Sequence, residues 1–264
     1  MLFGIIFFLT SALSTVGLYL GLEQLSYWWI LPLFVAFYVA WVIFYLFCLF
    51  VSSWFMSQKK PLKKPSGICM WFITETMDWL MRLLGIRISV KGRERIPKES
   101  CVFVSNHRSC FDPMAMLAVL KDRRLAFISK DSNMKIPLVG NFIHQAGFFG
   151  IDRENGMRAL RTLKAASDMM KSSGIDMGIY PEGTRSKTGE LLEFKTGAFL
   201  LAKRADAPVV IIATRGTERV VKRTPFRSTK VELEILEVLS REQIKTLSID
   251  DLSVYVRNCL EKAL

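Results

Sequence analysis

The chain has 264 residues and a formal net charge of +12 at pH 7, which is long enough for one large domain with a smaller attachment. The composition excludes an ordinary soluble protein, because the first 57 residues contain one charged side chain, Glu23, while residues 58–264 carry a net charge of +13. Five cysteines without a Cys-x-x-Cys pair argue against a disulfide framework or a metal site and fit a reducing environment.

Two apolar runs, Leu2–Leu22 and Tyr27–Phe55, open the chain and are separated by four residues. A secretory signal peptide does not fit, because no positive segment precedes the first run and a second run follows it directly. A helix of 21 residues spans about 31 Å, which matches a hydrocarbon core of about 30 Å. Residues 1–57 are therefore predicted to form a transmembrane helical hairpin. A hairpin that stays within one leaflet is the open alternative.

Residues 58–67 form a basic linker that holds two prolines and four lysines, Lys59, Lys60, Lys63 and Lys64. Lysines that follow a membrane span favour the cytoplasmic side. We therefore expect both termini to face the cytoplasm, at the cell membrane, with the active site on the cytoplasmic side. The basic body would bind anionic surfaces, and the apolar head favours a lipid bilayer over nucleic acid, for which no recognisable motif is present.

Residues 68–86 contain a predicted helix, Ile68–Leu84, with apolar residues at helical spacing and a broad aromatic face. Such a composition is typical of an interfacial amphipathic helix. A helix packed in the core of the following domain fits the pattern equally well.

Residues 87–264 alternate strand-like and helix-like runs. Strands are predicted at Ile86–Lys91, Cys101–Ser105, Leu125–Ser129, Gly147–Ile151, Asp176–Tyr180, Pro208–Thr214 and Lys230–Leu236, and helices at Pro113–Leu120, Glu154–Ser173, Thr196–Ala205 and Ile249–Leu264. Nearly continuous apolar strands that alternate with helices predict an α/β domain with a largely parallel mixed sheet covered by helices on both faces.

One of only two histidines, His107, follows the strand that ends at Ser105, and Asp112 comes five residues later. The carboxyl end of a strand is where α/β sheets place their ligands. A turn would let the Asp112 carboxylate accept a hydrogen bond from the Nδ1–H of His107, leaving Nε2 free to act as a general base. Asp112 before Pro113 also suits a helix N-cap, and the two roles are compatible.

A second polar cluster, Tyr180–Ser186, follows another strand and precedes Lys195. Gly183 allows the backbone to approach a ligand closely. Exposed N–H groups with Thr184, Arg185 and Lys195 would cradle a phosphate. By itself this pattern equally suits a solvated turn.

These motifs resemble those of the glycerolipid acyltransferases, and most closely the bacterial lysophosphatidate (1-acyl-glycerol-3-phosphate) acyltransferases. Four blocks in order carry the resemblance across roughly residues 65–240: Asn106-His107-x-x-x-x-Asp112-Pro113, Lys130 with Lys135–Gly140, Gly150–Arg153, and Tyr180–Ser186 with its Glu-Gly-Thr-Arg core. One departure is visible, because Pro208-Val209-Val210 continues as Ile211-Ile212 where the family usually has a second proline.

The resemblance implies transfer of a fatty acyl group from an acyl carrier protein or coenzyme A thioester to the sn-2 hydroxyl of lysophosphatidate, without a cofactor or a metal, in phospholipid synthesis. It implies that His107 is the general base and that Asp112 orients it. The implied substrate-binding residues are Lys130, Arg153, Glu182, Gly183, Thr184, Arg185 and Lys195. The cationic side chains among them would bind the phosphate, and backbone donors of the Glu-Gly-Thr turn would stabilise an oxyanion.

Three other hypotheses remain open. Cys110, three residues after His107, suggests a Cys–His pair that forms an acyl-enzyme. Related alternatives are acylation of another lysolipid and a non-catalytic lipid-binding protein. A lipase of the α/β-hydrolase type is disfavoured because the chain has no Gly-x-Ser-x-Gly motif.

Overall fold

The computed structural model of the protein describes residues 2–22, 25–58, 62–224 and 227–264. Glu23, Lys59 and Lys60, on which the topology prediction depends, lie outside the described residues. The chain divides into two compact units, Met1–Ser57 and Gln58–Leu264.

The first unit is an antiparallel pair of helices, α1 (Leu2–Gly21) and α2 (Ile30–Trp54), with a short 3₁₀ turn at Tyr27–Trp29. Aromatic rings join the two helices, for example Phe7 with Tyr45 at a centroid distance of 5.6 Å. Both helices are long and apolar enough to cross a membrane, a test that core helices and signal sequences also pass. The hairpin therefore agrees with membrane association on length and composition.

The second unit is built on a seven-stranded sheet in the described part of the chain, with the order β1-β7-β6-β2-β5-β3-β4. The strands are β1 (Ile86–Lys91), β2 (Val102–Ser105), β3 (Leu125–Lys130), β4 (Phe149–Ile151), β5 (Asp176–Ile179), β6 (Val209–Arg215) and β7 (Thr229–Leu239). Neighbouring strands are parallel except β6 and β7, which are antiparallel. Five adjacent strands, from β6 to β4, therefore run in one direction and end at one edge.

Helices cover both faces of the sheet, as predicted. They are α3 (Gly67–Leu83), α4 (Phe111–Val119), α5 (Asp131–Met134), α6 (Val139–Gln145), α7 (Gly156–Ser173), α8 (Leu200–Ala205), α9 (Val220–Arg223), α10 (Arg241–Thr246) and α11 (Ile249–Ala263). Every residue of the central strands β2 and β5 is buried, which requires cover on both faces. Along β7, at the side of the sheet, buried and more exposed residues alternate over most of the strand.

All seven predicted strands are present, and the α/β fold class is confirmed. The departure from the family pattern coincides with an irregularity, because the β6–β7 register shifts between Ile211 and Ile212 while β6 stays continuous and buried. Helices α5, α6, α9 and α10 were not predicted, since segments of four to seven residues are too short to display helical periodicity.

Helix α3 packs within the second unit, against α4, α6 and β1. Met81 is 1% exposed and belongs to a core cluster with Ile86 and Ala115. Lys121 binds Glu75 at 2.8 Å and Asp78 at 3.1 Å, which ties α3 to the segment that follows α4. One face of α3 is thus a core face, while Ile68, Trp71 and Leu83 are exposed.

Candidate active site

The predicted site residues gather at one edge of the sheet. His107 lies two residues after β2, the turn from Glu182 to Arg185 follows β5, Lys130 ends β3, and Arg153 lies two residues after β4. These four strands are parallel neighbours, so their carboxyl ends meet at the same edge. That edge is the usual place for ligands in an α/β sheet.

His107 and Asp112 form the hydrogen bond that their spacing predicts. Nδ1 of His107 lies 2.8 Å from Oδ2 of Asp112. The side chain of Asp112 is fully buried and that of His107 is 14% exposed. Among the described residues no hydrogen bond involves Nε2 of His107, so this nitrogen can accept a proton at the surface of the site.

The N-cap alternative for Asp112 is wrong. Helix α4 begins at Phe111 with Cys110 as its N-cap, and Asp112 lies inside the first turn. Its Oδ2 instead accepts from the backbone N–H groups of Arg108 and Ser109, each at 2.8 Å. The carboxylate therefore closes the loop that carries His107, which explains how a spacing of five residues becomes a direct contact.

A threonine from a distant part of the chain binds the other oxygen of Asp112. The hydroxyl of Thr217 donates to Oδ1, and both side chains are fully buried. Thr217 follows β6, whose end is tied to the end of β2 by two hydrogen bonds. Nδ2 of Asn106 donates to the carbonyl of Thr214 at 2.9 Å, and the N–H of Thr214 donates to Oδ1 of Asn106 at 2.8 Å.

Glu182 supports the backbone of the histidine loop. Its Oε1 accepts from the N–H of His107 at 2.6 Å and its Oε2 accepts from the N–H of Leu192 at 3.0 Å. Burial raises the pKa of this carboxyl, although the same two amide bonds oppose the rise. Because both oxygens bind backbone amides and the residue is 3% exposed, the geometry gives Glu182 a positioning role, and its contact with substrate stays a prediction.

Tyr180 packs against one face of the histidine. The two rings stack with centroids 4.3 Å apart and an angle of 20° between their planes, and Phe127 stacks on Tyr180 at 5.8 Å. Burial, with a smaller contribution from the Asp112 charge, raises the pKa of the Tyr180 phenol well above its ordinary value. The ring therefore stays neutral and restricts rotation of the imidazole.

The Gly183 turn lies beside Lys195. The N–H of Gly183 donates to the carbonyl of Tyr180 at 3.0 Å, and the N–H of Lys195 donates to the carbonyl of Pro181 at 2.8 Å. Gly183 has φ +67°, a conformation that side chains disfavour, and Thr184 after it is exposed. This geometry leaves the outer side of the turn open for a ligand.

Arg153 and Arg185 are brought close together. Partial desolvation lowers the pKa of Arg153, although its side chain is exposed, and the charge of Arg185 adds to the effect. Within the described part of the chain no ion pair involves either guanidinium, and Lys130 and Lys195 are also exposed at this edge. Two neighbouring cations without an acidic partner favour a bound anion such as a phosphate.

Cys110 is exposed at the start of α4, and no hydrogen bond joins it to His107 in the described part of the chain. The described residues also contain no group of three or more His, Cys, Asp or Glu side chains arranged to hold a metal ion. The polar groups that the site brings together are the His107–Asp112 pair and the basic side chains at the same edge.

Sequence reasoning missed Thr217. A threonine in a loop carries no periodicity and lies far from the recognised motifs. The signal that would have found it is topological: β6 is buried throughout its apolar run, so the residues just after it lie at the same edge as His107.

Comparisons with known proteins find similarity to acyltransferases. The family model described as Acyltransferase matches residues 87–215. The chain is 32% identical over 170 residues to human 1-acyl-sn-glycerol-3-phosphate acyltransferase beta, covering 62% of this chain and 61% of the relative. It is 26% identical over 191 residues to the 1-acyl-sn-glycerol-3-phosphate acyltransferase of Haemophilus influenzae, covering 70% of this chain and 79% of the relative.

A solved structure is also similar. The crystal structure of the 1-acyl-sn-glycerophosphate acyltransferase PlsC from Thermotoga maritima superposes with a TM-score of 0.64 and 26% identity, over 83% of this chain and 87% of that chain. The matched regions span 61% of the human relative and 64% of a Saccharomyces cerevisiae 1-acyl-sn-glycerol-3-phosphate acyltransferase, which is less than two thirds of either.

Proposed function

We propose that this protein, whose residues 87–215 match the Acyltransferase family model, transfers a fatty acyl group from a thioester to the sn-2 hydroxyl of lysophosphatidate, which yields phosphatidate. The observation that carries the proposal is the His107–Asp112 pair, 2.8 Å apart, at the same edge of the sheet as the Gly183 turn and as Arg153 and Arg185, which form no ion pair within the described residues. The names of the similar proteins support this acceptor.

In the proposed reaction the acceptor hydroxyl attacks the thioester directly. Nε2 of His107 removes the hydroxyl proton while the oxygen forms a bond to the carbonyl carbon. The resulting oxyanion accepts hydrogen bonds from backbone N–H groups near Gly183. When the C–S bond breaks, the thiolate takes the proton from the imidazolium, so His107 returns to its neutral form. Asp112 stabilises the imidazolium between these steps.

The acceptor phosphate would bind Arg153 and Arg185, with Lys130 and Lys195 contributing further positive charge. Arginine can bind two phosphate oxygens at once through its planar group, which fixes the acceptor's orientation. The two exposed guanidinium groups lie near enough for the charge of Arg185 to act on Arg153, which supports this arrangement because an anion between them would relieve their repulsion.

The donor would be an acyl carrier protein or coenzyme A thioester, and the protein would work at a membrane with its site on the cytoplasmic side. The two apolar helices and the positive charge of residues 58–264 support this placement. Acylation of another lysolipid is the second candidate, because the pair of guanidinium groups would bind any phosphate-bearing headgroup.

An assay of the purified protein in detergent or vesicles would test the proposal. Lysophosphatidate and lysolipids with other headgroups would each be offered with acyl carrier protein and coenzyme A thioesters. We expect phosphatidate from lysophosphatidate, strongly reduced product formation with His107→Ala, and slower turnover of the other acceptors. Faster acylation of another lysolipid would identify the second candidate, and no acyl transfer from any donor would leave a lipid-binding role.

A further inference from the structure

The two oxygens of Asp112 have different partners. Oδ2 accepts from Nδ1 of His107 and from two backbone amides of the same loop. Oδ1 accepts from the hydroxyl of Thr217, its only partner among the described residues. Because Asp112 is fully buried, no water can replace that donor without a rearrangement.

Thr217 is held in place independently of Asp112. It follows Gly216, whose φ is +90° and where an added Cβ would collide with the carbonyl oxygen of Lys230 on β7. On the other side the Asn106–Thr214 hydrogen bonds fix the end of β6 against the end of β2. The threonine is therefore a preorganised donor aimed at the carboxylate, 105 residues away along the chain.

We propose that Thr217 is a positioning residue that acts through Asp112 to keep the imidazole of His107 in one orientation and in the tautomer with Nδ1 protonated.

Three other residues with charged or titratable side chains contact His107 or Asp112 and are alternatives to Thr217 for this role. Glu182 binds the histidine backbone, Tyr180 stacks on the ring and lies near the Asp112 charge, and the Arg108 amide binds Oδ2. None of these binds Oδ1.

The physical reason is the geometry of a carboxylate. A donor on Oδ1 fixes the rotation of the carboxylate plane and so directs the Oδ2 lone pair toward Nδ1 of His107. Without it the carboxylate would turn toward another donor, the Nδ1 bond would weaken, and the tautomer with Nε2 protonated would gain population. That tautomer cannot accept the acceptor's proton.

Thr217→Val removes the hydroxyl at nearly constant shape, and Thr217→Ser keeps it. The first measurement is nitrogen-15 NMR of histidine-labelled protein, in which only His107 and His144 contribute and His144→Gln assigns the signals. We expect a single Nδ1-protonated tautomer for His107 in the parent and in Thr217→Ser, and a mixture in Thr217→Val. An unchanged His107 spectrum in Thr217→Val would overturn the proposal.

The second measurement is kinetic and rests on the proposed function. Thr217→Val should lower kcat about 10- to 100-fold with little change in KM, and Thr217→Ser should restore most of it. In an Asp112→Ala background Thr217→Val should cause no further loss. An equal loss in that background would show that Thr217 acts through the fold and not through Asp112.

The two measurements separate the possible failures. If the wild-type protein acylates no acceptor, the proposed function is wrong while the NMR result still decides the role of Thr217. The unfolding temperatures of the variants show whether a substitution of Thr217 changes stability. If the Thr217→Val protein does not fold, Thr217→Ala takes its place in both measurements.

Discussion

Nδ1 of His107 lies 2.8 Å from Oδ2 of Asp112, and the same Oδ2 accepts the backbone N–H groups of Arg108 and Ser109. A single buried oxygen of Asp112 thus closes the loop and also orients the imidazole of His107, which the loop carries. The orientation of His107 and the local fold of this loop therefore depend on one carboxylate.

His107→Ala should reduce turnover by about 10²–10⁴-fold, the usual effect of removing a positioned general base. The histidine is partly exposed and its loop is held by Glu182 and Asp112, so we expect the folded state to persist. Steady-state kinetics with circular dichroism of the same samples would check this. Full activity in the variant would rule out His107 as the base.

Cys110→Ser should keep most of the activity. Direct attack by the acceptor hydroxyl needs no thiol, and in the described residues Cys110 is not hydrogen-bonded to His107. Mass spectrometry of the wild-type protein, quenched after mixing with the acyl thioester alone, should detect no acylated Cys110. A trapped acyl-enzyme together with an inactive serine variant would instead support the Cys–His mechanism.

Arg185→Ala should lower kcat/KM for lysophosphatidate by roughly 10–150-fold, because a charge-assisted bond to phosphate is worth about 1.5–3 kcal/mol. Arg185→Lys should restore only part, since lysine keeps the charge but loses the planar pair of donors. The KM for the thioester should change much less. Kinetics with each substrate varied in turn would compare the change in kcat/KM for lysophosphatidate with the change in KM for the thioester.

Arg204→Ala is the matched control for the phosphate prediction. Arg204 lies in the last turn of α8, which leads to the amino end of β6, so the same charge is removed at the opposite edge of the sheet. We expect the Arg204→Ala protein to have near-normal activity.

The contradicting outcome for Arg185→Ala is an equal loss of kcat/KM on lysophosphatidate and on a lysolipid without a phosphate. That result would show that Arg185 acts through the general positive charge of the surface and not by binding the acceptor phosphate.

If the two apolar helices cross the bilayer, single cysteines at positions 23 and 57, in a background without native cysteines, should label from opposite sides of intact cells. The two positions flank α2, which is 25 residues long and contains no charged residue. A membrane-impermeant maleimide, applied before and after lysis, makes the measurement. Labelling of both positions from the same side would favour a hairpin within one leaflet.

The free energy of unfolding should fall as the pH drops below about 6.5, because burial lowers the pKa of His144. Its buried Nδ1 has no hydrogen-bond partner among the described residues. The unfolded chain then binds a proton that the folded chain resists, so the loss accrues between the ordinary pKa of 6.5 and the lower folded value. Glu182, with a raised pKa, acts in the opposite direction.

Urea unfolding of the detergent-solubilised protein at pH 7.5 and 5.5 would test this linkage. His144→Phe should show a smaller loss of stability between the two values than the parent. His107→Ala, which removes the other histidine, is the control and should retain the loss. An identical pH dependence in the parent and His144→Phe would contradict the prediction.

The helices, the strands and the central motif of the candidate site could be predicted from the amino-acid sequence alone. The apolar runs before residue 57 predict two long helices, and seven apolar segments predict the seven strands, because burial on a sheet demands continuous or alternating apolar residues. The His107–Asp112 pair was predictable as well, since its partners lie five residues apart and a local turn is enough to join them.

The tertiary structure alone decided which polar residues support that pair. Thr217 reaches Asp112 because β6 lies beside β2, and Glu182 reaches the His107 amide because β5 lies on the other side of β2. Strand order is set by packing across the whole sheet, and residues in loops have no periodicity that records their partners. Local patterns therefore predict the strands and the motif, whereas hydrogen bonds between distant loops arise only when the sheet is assembled.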